Sequence, residues 1–186
     1  MKPNAKPLAR TRIVTGTLLA AAVTLGGVGA TTATAATTHA RFAGRGDVAN
    51  YYTTKSTHLT IRAAAKAAEA AMDAAVREGQ RVSVAVVDRN GNTIVTLRGD
   101  GAGPQSYESA IRKAYTAVSW NAPTSELVKR LQTTPTLADI PGTLFLAGGV
   151  PVTAKGAPIA GIGVAGAPSG DLDEKFARAG ADALRH

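Results

Sequence analysis

The sequence contains no cysteine among its 186 residues. This absence excludes a disulfide scaffold, a cysteine zinc site and thiolate ligation of a metal, so the fold must be held by packing and hydrogen bonds. Aromatic residues make up only 4% of the chain, and no run of lysine and arginine alternates with them. Nucleic-acid binding is therefore not expected, because it usually combines a basic patch with stacking side chains.

Long apolar runs are also rare, and the one near the start of the chain belongs to an export-signal pattern. A basic stretch, MKPNAKPLARTR, precedes the apolar run IVTGTLLAAAVTLGGVGA and the small residues TTATA. This order predicts a signal peptide over residues 1–35, cleaved after the small residues Ala33-Thr34-Ala35. A retained membrane anchor is the alternative, although threonines and glycines interrupt the run. Arg10-Thr11-Arg12 only approximates a twin-arginine signal, which leaves the Sec and Tat routes both open.

Cleavage at this site predicts a secreted, extracellular protein. Association of the processed protein with the cell wall is compatible with this prediction. It removes four basic residues, and so half of the formal net charge of +8. After residue 35 no stretch is long enough to span a membrane, so no membrane insertion is expected of the processed chain. Residues 36–57 have little apolar periodicity and predict a flexible N-terminal extension. Residues 58–186 are expected to form one domain.

Helix and hairpin signals follow one another in the first half of this domain. Thr60 can cap a helix whose small residues fall on one stripe, and Gly79 can end that helix. The β-rich runs VSVAVVD and NTIVTL then flank Arg89-Asn90-Gly91. Asn-Gly between two such runs is a strong hairpin signal, so two adjacent antiparallel strands are predicted.

The second half predicts two helices, three strands and a final helix. Ser106 can cap a helix to about Trp120, and Thr124 or Ser125 can cap a shorter one. Three strands are expected from Thr143 to Gly166, with turns at Gly148-Gly149 and Lys155-Gly156. A last helix is expected from about Leu172 to Leu184. The fold class is therefore α+β, with helices packed on an antiparallel sheet of about five strands.

Two motifs could carry chemistry, and each has a structural alternative. The run GIGVAG matches a dinucleotide loop by letter, but no βαβ unit follows it, so tight sheet packing is the better interpretation. The carboxylates of Asp171, Asp173 and Glu174 could hold an iron or another cation. The spacing of Asp171 and Glu174 also suits a capping box, which is the favoured interpretation.

Few other side chains offer reactive groups, and no Ser-His-Asp order or nucleophile elbow is present. His58 is the one histidine near predicted structure, where it could be a ligand or a packing residue. Tyr107 and Tyr115 lie on one predicted helix. They could stack on a planar ligand, ligate ferric iron, or simply be buried. A binding module is therefore favoured over an enzyme.

The order of these segments resembles the GlcG/HbpS-like family, which is associated with haem binding. The resemblance covers Leu59 to Leu184 and rests on a run from LTIRAAAKAAEAAMDAAV to IRKAYTAVSW, then PTSEL, PGTLFLAGGVPVTAKGAPIAGIGVAG and SGDLDEKFARAGADAL. It implies haem as the cofactor, an iron ion as a second ligand, and a higher homo-oligomer, of which an octamer is one form. Within the family, a signal peptide and an extension mark a secreted branch that modulates a membrane sensor kinase.

Carried onto this sequence, the resemblance also implies site residues. The Pro-Gly-Thr element points to Thr143 as the contact to haem iron, at the start of a strand. Arg112 and Lys113, beside Tyr115, would contact the propionates, although solvated charges are the alternative. His58 is a second ligand candidate.

The acidic group Asp171, Asp173 and Glu174 would take iron released from haem. The expected function is a secreted haem- and iron-binding protein that acts as a redox or haem sensor for a membrane histidine kinase of a two-component system. Slow haem degradation with iron release, and an oligomeric scaffold without a small ligand, are the alternatives.

Overall fold

The structure, a computed structural model, describes residues 47–185. The predicted signal peptide and the first part of the predicted extension lie outside these residues. Four α-helices and four strands follow in chain order: α1 Ile61–Arg77, β1 Ser83–Asp88, β2 Thr93–Arg98, α2 Pro104–Trp120, α3 Thr124–Arg130, β3 Gly149–Ala154, β4 Ala157–Ala165 and α4 Gly170–Asp182. Short 3-10 helices span Asn50–Tyr52 and Pro135–Asp139. None of the helices between residues 47 and 185 is long and apolar enough to cross a membrane.

The strands form one antiparallel sheet in the order β2-β1-β4-β3. The α+β class and the antiparallel sheet are confirmed, but the predicted number of five strands is wrong by one. The expected first strand, from Thr143 to Ala147, does not pair with the sheet, which resumes at Gly149. The residues of this segment have high β propensity, but a tertiary contact decides their conformation. The Leu144 N–H donates to the Thr116 hydroxyl on α2 instead of to a neighbouring strand.

Helices cover both faces of the sheet. Val84 and Val86 of β1 pack in one cluster with the alanines of α1 and with Phe176 of α4. Ala85 and Val87, which point the other way, pack against α2. The domain therefore has three layers, with α1 and α4 on one side of the sheet and α2 on the other.

The glycines of β4 bring α2 unusually close to the sheet. A Cβ added at Gly163 would lie 2.1 Å from the Ala110 carbonyl oxygen, and one at Gly161 would lie 2.2 Å from that of Ala114. No side chain fits at such distances. The run GIGVAG thus serves helix packing, which supports the interpretation preferred from the sequence.

Only one of the four helix starts follows its predicted cap. Helix α3 begins at Thr124 after Pro123 and has no side-chain cap, so neither Thr124 nor Ser125 caps it. Thr60 caps α1 by accepting from the Ala63 N–H, as predicted. Helix α2 begins earlier than predicted, at Pro104, and the Ser106 hydroxyl donates to the Gly103 carbonyl instead of capping. Helix α4 begins at Gly170 and is capped by Ser169, so the Asp171–Glu174 capping box does not form.

Candidate functional site

The segment of residues 141–147, here called the site segment, carries Thr143 and runs beside α2. Thr143 is 5% exposed, and its hydroxyl donates to the Ile140 carbonyl at 2.7 Å. The next residue, Leu144, donates its N–H to the Thr116 hydroxyl at 2.8 Å. The sequence analysis expected Thr143 at the start of a strand. The structure instead places it in an irregular segment that is hydrogen-bonded to α2.

Tyr115 lies next to this segment and is partly exposed. A Cβ at Gly142 would lie 3.6 Å from the Cε1 atom of the Tyr115 ring. On the opposite edge of the ring, a Cβ at Gly91 would lie 2.8 Å from Cε2. The ring is therefore held between the β1–β2 turn and the site segment, next to the residue that precedes Thr143.

Arg112 and Lys113 differ sharply although they are neighbours on α2. Arg112 is partly exposed, one turn before Thr116, whose hydroxyl donates to the Arg112 carbonyl. Lys113 is only 4% exposed, and its Nζ donates to Asp173 at 2.8 Å and to the Val164 carbonyl at 3.1 Å. Lys113 is thus placed as an internal structural cation, and its position does not suit a propionate contact.

The carboxylates predicted as a metal group have separate partners. Asp173 binds Lys113 and accepts from the Ala167 N–H at 2.9 Å. Burial raises the pKa of Asp173, although Lys113 and backbone hydrogen bonds oppose the rise. This arrangement is a buried ion pair between α2 and the first turn of α4.

The Glu174 carboxylate instead accepts hydrogen bonds from the N–H and the hydroxyl of Ser125 and from the Arg178 guanidinium. Asp171 is exposed. In the described part of the chain, no group of three or more histidine, aspartate or glutamate side chains could hold a metal ion. The geometry of Asp173 and Glu174 therefore favours structural roles for both side chains.

His58 is exposed and lies just before α1. Its Nε2 is 2.7 Å from the Ser56 hydroxyl, and its charge helps to lower the pKa of Asp88. Asp88 begins the turn that contains Gly91, which Tyr115 contacts. His58 and Tyr115 are thus both associated with this turn, while no hydrogen bond among residues 47–185 joins His58 to Thr143.

Two threonine hydroxyls bond the backbone within and just after the site segment, and the sequence suggested neither contact. Thr116 on α2 and Thr124 on α3 are both fully buried. Thr116 accepts from the Leu144 N–H, and Thr124 accepts from the Gly149 N–H at 2.8 Å. No spacing rule connects a threonine on a helix with an amide 25 or 28 residues later, so sequence reasoning offered no signal for either contact.

Comparison with known proteins gives close matches. The crystal structure of a Glu-to-Asp double mutant of Streptomyces reticuli HbpS is 74% identical, with a TM-score of 0.76, and the match covers 77% of this chain and 99% of that one. The structure titled PduOC:Heme complex is 27% identical, with a TM-score of 0.63, over 68% of this chain and 95% of that one. An uncharacterized 15.0 kDa protein of Citrobacter freundii is 33% identical over 113 residues, which are 58% of this chain and 80% of that protein.

The family described as "Haem degrading protein HbpS-like" matches residues 59–182. This range includes all four strands, all four helices and the site segment. The resemblance suggested by the segment order is therefore confirmed, and the chain belongs to the HbpS-like family.

Proposed function

We propose that this protein binds haem at a shallow site formed by Thr143, Tyr115 and Arg112. The observation that carries the proposal is the contact of the Tyr115 ring with Gly142, directly before Thr143. The family described as haem degrading and the haem complex of a structural relative support haem as the ligand class.

The residues at this place suit a haem group in three respects. The Tyr115 ring and Ile140, which is 40% exposed, offer apolar surface to a porphyrin face. Arg112 can donate to a propionate carboxylate. The Thr143 hydroxyl donates its hydrogen bond to the Ile140 carbonyl. The lone pairs of the hydroxyl oxygen are therefore the groups that can face iron.

Bound haem would supply redox and ligand-exchange chemistry at its iron. The protein's own part is to present the Thr143 oxygen, to pack Tyr115 against the ring and to hold Arg112 at the rim. A threonine hydroxyl would bind haem iron more weakly than histidine or tyrosine, so we expect modest affinity and ready exchange. Both properties suit a sensor better than a permanent haem carrier.

The proposal extends to where and with what the protein acts. The signal-peptide pattern of residues 1–35 supports export. The resemblance to the secreted branch of the family supports an accessory sensor role beside a membrane histidine kinase. The exposed side chains Val48, Tyr51 and Tyr52 of the extension offer an apolar contact surface for such a partner.

A homo-oligomer is part of the same proposal. Tyr107 is 44% exposed and Leu146 is 55% exposed. Large apolar side chains on the surface of a small domain often mark contacts between subunits. Assembly of copies through such residues would place a shallow haem site near subunit contacts.

Slow haem degradation is the second candidate function, and the description of the family favours it. Reaction of bound iron with peroxide could open the ring and release iron, which Asp171, the exposed member of the acidic group, could help to retain. Steady loss of haem absorbance with free iron in excess of protein would favour this candidate over a sensor that only binds.

The test is a haemin titration of the full-length protein followed by its Soret absorbance. We expect a saturable shift, and a tenfold or greater loss of affinity in Thr143→Ala, equivalent to about 1.4 kcal/mol or more. Thr153→Ala, on an exposed position of β3, is the matched control and should behave as the unmodified protein. No saturable shift in the unmodified protein would overturn haem binding, and an unchanged Thr143→Ala spectrum would remove Thr143 from the site.

A further inference from the structure

The site segment is fastened to the rest of the domain differently from the strands around it. None of residues 141–147 pairs with a strand, and the ladder between β3 and β4 begins at Gly149. Thr143 bonds within its own turn, because both its N–H and its hydroxyl donate to the Ile140 carbonyl. These internal bonds fix the shape of the turn but not its place beside α2.

Thr116 supplies a bond from outside the segment. Its hydroxyl has one O–H donor, which forms a hydrogen bond to the Arg112 carbonyl with an oxygen–oxygen distance of 2.7 Å. The oxygen is thereby left as an acceptor, and it receives the Leu144 N–H at 2.8 Å. One buried hydroxyl therefore joins the turn of α2 that carries Arg112 and Tyr115 to the residue directly after Thr143.

We propose that Thr116 is a positioning residue for the haem site. It fixes the backbone at Leu144 and so sets the distance from the Thr143 oxygen to Tyr115 and Arg112. This inference rests on the proposed haem function. It adds that the geometry of the site depends on a hydroxyl that touches neither haem nor solvent.

Packing shares part of this task, which limits the expected effect. Phe145, also in the site segment, packs edge-on against Trp120 at a ring distance of 5.9 Å. That contact anchors a side chain two residues beyond Thr143, whereas Thr116 anchors the peptide group next to it. Loss of the hydroxyl should therefore loosen the site without releasing the segment.

The test compares three variants of the full-length protein in the same haemin titration. Thr116→Val keeps the shape but leaves the Leu144 N–H buried and unpaired, so we expect about tenfold weaker haem binding and a Soret band moved towards that of Thr143→Ala. Thr116→Ser keeps the hydroxyl and should bind haem within about twofold of the unmodified protein. Thr124→Val removes the equivalent buried hydroxyl at Gly149, the first residue of β3 beyond the segment, and should keep the unmodified Soret spectrum.

Two results would overturn the inference while leaving haem binding itself in place. One is an unchanged affinity and spectrum in Thr116→Val. The other is an equal change in Thr116→Val and Thr124→Val, since that would indicate a general loss of packing. If Thr116→Val does not fold, Thr116→Ser decides, because loss of the haem spectrum despite a retained hydroxyl would contradict the inference.

A measurement without haem separates this inference from the proposed function. Hydrogen exchange at the Leu144 amide should become faster in Thr116→Val and stay near the original rate in Thr116→Ser. If the unmodified protein shows no saturable Soret shift, the haem proposal fails and the positioning role fails with it. The exchange rates would then show only whether the bond between Thr116 and Leu144 exists.

Discussion

The β1–β2 hairpin and the site segment both contact Tyr115, but they are stabilised in different ways. In the hairpin, consecutive residues from Ser83 to Val87 pair across the sheet with residues from Arg98 to Thr93. On its other side, β1 pairs with β4 over its whole length. In the site segment, Thr116 holds the amide of Leu144 by a single bond from a helix.

This difference separates scaffold from site. A strand between two neighbouring strands is stabilised by many hydrogen bonds, so the loss of one of them changes the position of the strand little. A peptide group held by one hydroxyl depends on that bond, since a buried unpaired N–H costs about 1–3 kcal/mol. The hairpin can therefore provide a fixed wall for Tyr115, while the site segment provides groups whose position can be changed by one substitution.

The largest effect is expected on the scaffold side, from Gly163→Ala. The added Cβ would meet the Ala110 carbonyl oxygen at 2.1 Å and the Ala114 nitrogen at 2.5 Å. Both atoms belong to the backbone of α2 and cannot turn away, so we expect a loss of at least about 4 kcal/mol in the free energy of unfolding. Urea unfolding followed by circular dichroism measures this loss.

Gly156→Ala is the matched control for that substitution. Gly156 has a φ of 78° in the β3–β4 turn, but nothing lies within 4 Å of an added Cβ. Only the left-handed backbone is then unfavourable, at a cost of about 1–2 kcal/mol. Equal losses in the two variants would show that the close approach of α2 to Gly163 does not carry the expected extra cost.

A smaller loss is expected from Lys113→Met, which breaks the buried ion pair between α2 and α4. Lys113 joins α2 to Asp173 on α4 and to the end of β4 at Val164. Without the ammonium, Asp173 is a buried carboxylate with little compensation, and we expect about 3 kcal/mol of destabilisation near neutral pH. Because burial already raises the pKa of Asp173, the loss should shrink as acid protonates this carboxyl group.

Two further variants test the origin of that loss. Lys175→Met removes an exposed pair with Glu78 and should cost at most about 1 kcal/mol. The double substitution Lys113→Met with Asp173→Leu should recover most of the stability, since it leaves no buried charge. Thermal unfolding of all four proteins at several pH values gives the comparison, and a double variant as unstable as Lys113→Met would contradict this explanation.

The contrast between the regions also explains what the sequence could predict. Asn90-Gly91 and Lys155-Gly156 specify turns through local backbone preferences, and both turns form between antiparallel strands. Thr60 and Gly79 likewise mark the ends of α1 by local hydrogen bonding and a positive φ. Such features are independent of the rest of the fold, which is why they were predicted correctly.

The site segment was harder because its structure depends on distant residues. Its letters, TLFLA, favour a strand, but no neighbouring strand pairs with them, and Leu144 bonds to Thr116 instead. Lys113 reads as a surface charge on a helix until Asp173, 60 positions later, is placed beside it. The fold class could thus be predicted, whereas the buried polar contacts around Thr143 and Tyr115 could not.

The smallest effect should distinguish the two regions by pH. One carboxylate oxygen of Asp88 accepts from the N–H groups of Asn90 and Asn92, each at 2.8 Å. Burial alone would raise the pKa of Asp88, but these bonds, the Asn92 side chain and the nearby His58 together lower it. A lowered pKa in the folded state means that this stabilisation is present above the unfolded pKa and is lost as the pH falls through the folded value.

After correction for the intrinsic change of exchange rate with pH, amide exchange at Asn92 should therefore become faster on acidification. The corresponding loss of local stability should be at most about 1 kcal/mol. Asp88→Asn should remove this acid dependence, while Asp100→Asn makes the same charge change in the exposed loop at the opposite end of the hairpin and should retain it. The Leu144 amide is bound to a hydroxyl that does not titrate, so its protection should not share this loss. An equal acid response at Asn92 and Leu144 would mean that acid opens the domain as a whole and that the two regions are not held independently.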